Sequence, residues 1–259
     1  MEEDKSITSK IFDQLKPKLV NVFSWIESDE GKIIAKVITS LGSYVVGDPT
    51  GLLFPTILNC TDYGIRKKVL KHFPDIMEKL NNEQALLNME FIRSELGQQL
   101  LRDTFNAIIK ETEEEKITKL KSFLISAYKQ EKPDNLFIRS CYRHLMLMDV
   151  IHIQILAIFN NPESVIRKIC EERIESDART IKIPDDLNPF FLKMDENIYS
   201  NVIKELENWD ILNGIRNSST GGLFTAIEVE QRILPEMTRY MKERITNYGK
   251  RLIELIECK

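Results

Sequence analysis

Glycine and proline are scarce in this chain, 10 and 9 among 259 residues, and that scarcity constrains the fold more than any other feature. Both residues end or bend helices, proline because it lacks the amide donor and glycine because ordering it costs the most entropy. The stretches between them are rich in Leu, Ile, Glu and Lys, which helices tolerate best. Their apolar members recur at three- and four-residue steps. Ile7, Ile11, Leu15, Leu19, Val22, Phe23 and Ile26 fall on one face of a helix, bent at Pro17 and closed at Asp29-Glu30-Gly31. Ile33, Ile34, Val37, Ile38 and Leu41 start a second helix, which runs to a turn at Gly47-Asp48-Pro49-Thr50-Gly51. A predominantly all-α protein, a multi-helix bundle, is the expected fold.

The pattern continues beyond Leu58, with joints expected at Pro74 and at Asn81-Asn82. Residues 91–110 read as one helix, with Leu96, Leu100, Phe105, Ile108 and Ile109 on its apolar side. Thr112 and Glu115 have the spacing of a capping box, which predicts a new helix there, closed by Lys132-Pro133-Asp134-Asn135. The next helix is expected to reach Phe159 and is apolar almost all round in its second half, as a buried central helix would be. After Asn160-Asn161-Pro162 come a charged helix and a loop bounded by Pro184 and Pro189. A helix over 196–212, a Gly-, Ser- and Thr-rich stretch from Gly214 to Gly222, and a long amphipathic end complete the chain.

At 42% hydrophobic and 29% charged residues, the chain can bury a core without disulfides or metals. Three parts are expected: an N-terminal helical domain over 1–130, a central helix pair over 135–183 and a C-terminal module over 190–259. Cys60, Cys141, Cys170 and Cys258 are scattered in apolar surroundings, and His72, His144 and His152 are too dispersed for a metal centre. No phosphate loop or H-E-x-x-H motif occurs, so neither cofactor nor metal is expected. The acidic start, Met1 to Lys5, lacks the basic-then-apolar order of a secretory signal, and a cytoplasmic address is expected.

One pair of residues keeps an enzymatic reading open. Arg139 and His144, in Arg139-Ser140-Cys141-Tyr142-Arg143-His144, lie at a spacing that resembles the R-x4-H motif of the HEPN family of helical ribonucleases. That resemblance implies a pair acting across a dimer on RNA phosphates, the cation stabilising a phosphorane while the imidazole moves protons. This sequence has Ser140 where the family usually has Asn, Asp or His. The alternative reading is a solvated arginine and a histidine satisfied within the fold.

The C-terminal order of helix, polar turn region and Arg244-Ile245-Thr246-Asn247-Tyr248-Gly249-Lys250 resembles the tail of winged-helix modules. There a hairpin is followed by an (I/L)-T-x-x-G-(K/R) element opening the last helix, so a small β-wing is expected between Gly214 and Ile245. Thr246 is suited to cap and Gly249 to permit close packing. The helix such modules place in DNA carries here Asp195, Glu196, Glu205, Glu207 and Asp210 against Lys204, a net of −4 over 195–213. Phosphate would repel it. A protein-binding module is expected instead, with sequence-specific DNA disfavoured, and a plain helical pair with a polar loop is the alternative.

Two basic clusters remain as binding candidates: Arg66, Lys67, Lys68 and Lys71, and Arg239, Lys242, Arg244, Lys250 and Arg251. The first follows an apolar stretch, 37–61, whose one charged residue is Asp48. A membrane-surface effector acting from Val37 to Lys71 is therefore one reading, and a buried helical hairpin beside a solvated basic helix is the other. A net charge of −4 leaves weak nucleic-acid or membrane contact only to such local patches.

Across the whole chain, Gly51-Leu52-Leu53 with its basic follow-on, the apolar middle helix and Ile245-Thr246-x-x-Gly249 resemble helical bacterial and phage proteins of unassigned function. That resemblance implies a prokaryotic defence or phage-related setting and transfers no site residues. The leading expectation is a non-enzymatic regulatory protein that binds another protein or itself. The ribonuclease and the membrane-surface effector are the alternatives.

Overall fold

A computed structural model describes residues 63–163, 181–183, 195–214, 222–224 and 234–257. They are predominantly helical, as expected. The chain packs as two units that divide between Ser140 and Cys141. The joint expected between Pro184 and Pro189 lies outside the described residues.

The first unit holds α1 (Tyr63–Asn82), a 3-10 turn (Gln84–Leu86), α2 (Met89–Arg93), α3 (Glu95–Lys110) and α4 (Glu114–Tyr128). Its core joins Phe73, Ile76 and Leu80 of α1 to Leu101, Phe105 and Ile108 of α3 and Phe123 and Leu124 of α4, all nearly inaccessible. The rings of Phe73 and Phe105 meet edge to face with centroids 4.0 Å apart. Pro74 does not break α1, contrary to the sequence reading; it lies inside the helix. The buried neighbours Phe73, Ile76 and Met77 hold the turn in which its missing amide costs a hydrogen bond.

The helix expected over 91–110 is divided at Ser94. Its hydroxyl donates to the Phe91 carbonyl at 2.6 Å and accepts from the Gly97 amide at 3.1 Å, ending α2 and capping α3 together. At Gly97 an added Cβ would fall 2.1 Å from the Phe91 carbonyl oxygen, so only glycine allows the two segments to close on each other. The capping box expected at Thr112 and Glu115 is not formed. Helix α4 begins at Glu114, and the Glu111 carboxylate accepts from the Thr112 and Glu113 amides instead.

Helix α5 (Asn135–Leu147) passes through the division between the units and stops short of α6 (Val150–Asn160). One helix to Phe159 was the expectation; Asp149 and His152 form a capping box that starts a new one. Helix α6 is central to the second unit, as its apolar sequence implies. It contacts α7 (Glu196–Asn208), α8 (Leu234–Arg244) and α9 (Asn247–Ile256), with Ile153, Ile155, Leu156 and Phe159 buried.

Helix α7 ends at Asn208, one turn before the expected Leu212, because Asp210 takes a left-handed φ of 58°. Asp is among the few residues that adopt this conformation at modest cost. The turn lets Thr246 donate its hydroxyl to the Asp210 carbonyl at 2.6 Å and accept from the Gly249 amide at 2.9 Å. Thr246 thus caps α9, and a Cβ on Gly249 would lie 2.4 Å from the Ile211 carbonyl. Both roles were legible in the sequence. Three-residue strands β1 (Ile181–Ile183) and β2 (Gly222–Phe224) pair antiparallel. Strand β2 lies within the expected wing, but its partner precedes α7, and Leu234–Arg244, in the later part of that stretch, is the helix α8; residues 215–221 and 225–233 lie outside the described residues.

Candidate functional site

Arg139 and His144 both lie on α5, and a five-residue step turns them about 140° apart around its axis. Arg139 is exposed, whereas His144 is only 9% exposed. The His144 Nδ1 lies 2.7 Å from the Tyr248 hydroxyl, and its ring stacks on Trp209 with centroids 5.7 Å apart. Burial, reinforced by the positive charge of Arg143, lowers the His144 pKa below its usual 6.5. The imidazole is therefore neutral at pH 7, enclosed by an indole and a phenol.

His152 stacks on the same indole, with centroids 5.3 Å apart. Its Nδ1 accepts the Asp149 amide at 3.1 Å, which leaves Nε2 as the nitrogen that carries hydrogen. That nitrogen donates to Glu205 Oε2 at 2.8 Å. Both imidazoles thus link helices of the second unit around Trp209.

The basic candidates differ in burial and in their recorded partners. Lys68 donates to the Ile109 carbonyl at 3.0 Å and to the Glu111 carbonyl, neutralising the C-terminal end of α3. Lys71 pairs with Glu114 at 2.6 Å. Lys67 is exposed, and the Arg66 side chain lies outside the described residues. Arg244 departs from the expectation of a surface cation. It is 5% exposed, binds Glu207 at 2.8 Å, donates from Nε to the Asn213 carbonyl and lies 5.2 Å from the centre of the Phe159 ring. Arg251 is exposed.

Arg239, Lys242 and Lys250 line one open depression of about 550 Å³, shared with Glu163, Glu243, Pro235 and Thr238. Arg239 reaches Glu243 only at 3.8 Å, with both side chains largely exposed. In its wall, the buried hydroxyl oxygen of Thr238 has no hydrogen-bond partner among the described residues. Three cations on α8 and α9 thus surround a concave surface. Sequence spacing identified the cations, but Glu163 and Thr238 carried no signal because their place depends on how α8 packs.

Among the described residues no group of three or more His, Cys, Asp or Glu could hold a metal ion, and no single helix is long and apolar enough to cross a membrane. The apolar stretch from Val37 to Thr61 lies outside the described residues. Compared with known protein families, with curated proteins and with solved structures, the chain matches none.

Proposed function

We propose that this chain is a non-enzymatic protein-interaction protein whose second unit binds an acidic segment of a protein partner at the depression between α8 and α9. The observation that carries this reading is the convergence of Arg239, Lys242 and Lys250 on one concave surface. Cations around a depression favour carboxylates over neutral surface and speed encounter with an acidic partner. The C-terminal residues are read as a winged-helix-like module used for protein contact. The Thr246 cap and the approach of Gly249 to Ile211 support that reading, and the acidic α7 supports protein over DNA.

The ribonuclease reading has less support, because His144 is enclosed by Trp209 and Tyr248 and kept neutral. The test compares proteins captured from cell lysate by the full chain and by its R239E/K242E/K250E variant. A partner retained by the first, released by salt and lost with the variant is expected. Identical capture by both, or RNA cleavage abolished by His144→Ala, would sink the proposal.

A further inference from the structure

Helix α5 turns a second surface outward, independent of the depression. Leu136 is 81% exposed and Leu147 57%, with Met146 at 39%. Arg139 and Arg143 are exposed on the same helix, and neither has an ion-pair partner among the described residues. At ~100° per residue, these five side chains fall within an arc of about 120°. They are carried by one continuous helix, so its geometry alone sets their spacing. The opposite arc, with Phe137, Ile138, Cys141, His144 and Leu145, is buried.

Isolated exposed leucines are ordinary, but three large apolar side chains around two exposed arginines on one face are not. Leu, Met and Arg in that arrangement can desolvate an apolar partner and pair with carboxylates at its edges. We propose that this face of α5 docks an amphipathic helix of another protein, one that carries leucine-like residues at three- and four-residue steps flanked by Asp or Glu. Charge selects the occupant. A second copy packed on the same face about a two-fold axis would bring the two arginine pairs together with no acidic residue on the face to offset them. A basic or neutral helix would leave Arg139 and Arg143 unpaired in a drying interface. The face is about 16 Å long, too short for a permanent interface, so the contact belongs to the transient, micromolar class.

The probe is a fluorescent amphipathic peptide of about 16 residues, with Leu on one face and Glu beside it, against a counterpart with Lys replacing Glu. Binding to the full chain is read by anisotropy. The Glu peptide is expected to bind in the micromolar range and the Lys peptide at least about tenfold more weakly. R139E/R143E is expected to reverse that preference, and Leu136→Ser with Leu147→Ser to weaken the Glu peptide several-fold. All four positions are solvent-exposed, and circular dichroism of each variant verifies that its helices are retained. In R239E/K242E/K250E the Glu peptide is expected still to bind, and R139E/R143E added to it still to reverse the preference, which separates this surface from the depression. No binding up to about 1 mM, binding indifferent to R139E/R143E, or loss with R239E/K242E/K250E overturns the proposal. A dimer in sedimentation that Leu136→Glu dissolves also overturns it, since a second copy would then occupy the face.

Discussion

Tyr128, fully buried on α4, donates its phenolic hydrogen to the carbonyl of Gly97 on α3 at 2.8 Å. Burial pushes its pKa far above the usual 10, so the phenol stays a donor at every accessible pH. Tyr128→Phe keeps the ring and its edge-on contact with Phe91 and removes only this bond. A loss of about 1 kcal/mol is expected, read as a lower urea midpoint at unchanged slope.

Gly97 and Gly249 are fixed by backbone proximity. Alanine would place Cβ 2.1 Å from the Phe91 carbonyl in the first case and 2.4 Å from the Ile211 carbonyl in the second. Neither oxygen belongs to a flexible side chain that could swing aside. Each Gly→Ala change is expected to cost roughly 3 kcal/mol, against the gain usual at an open helical glycine. Thermal melts of either variant matching the parent would show that the helices part easily there.

Arg244 is a fold residue more than a contact residue. Arg244→Met fills similar volume but strips Glu207 and the Asn213 carbonyl of their partner, and a loss of about 2 kcal/mol is expected. Arg244→Lys should recover little, because an ammonium cannot reach both acceptors in the planar fork of a guanidinium. Full recovery by lysine in denaturant titrations would contradict this account.

Two buried histidines make stability depend on mild acid. Burial lowers the pKa of both; the charge of Lys121 adds to it for His72, and that of Arg143 for His144. Each is more basic unfolded than folded, so its contribution is complete above the ordinary 6.5 and is lost as pH falls through the depressed folded value. Asp75 and Glu111 act lower. Burial raises both carboxyls, but the Lys121 hydrogen bond on Asp75 and the amides of Glu113 and Thr112 on Glu111 outweigh it, leaving them below 3.8 and 4.5. Urea titrations from about pH 7.5 downward should show stability falling first near the histidine range, with the fall reduced in His144→Gln. A flat profile down to the carboxylate range would refute the assignment.

The sequence by itself determined that the described residues are predominantly helical, where α3 and α4 carry their apolar faces, that α6 is central to its unit, and that Thr246 and Gly249 shape the start of α9. These features are local: periodicity, capping and breaker residues act within a turn or two, and packing reinforced what they favoured. The breaks at Ser94 and Met148-Asp149, and the early end of α7, escaped because each depends on a side chain answering a backbone group in three dimensions. Only the tertiary structure decided which cations are spent. Lys68, Lys71 and Arg244 meet their partners 31 to 43 residues away in sequence, and no spacing rule reads such distances. The same packing left Arg239, Lys242 and Lys250 around a depression and turned one face of α5 outward. A charge is visible in the sequence, but whether it faces a partner or its own chain is settled by what folds against it.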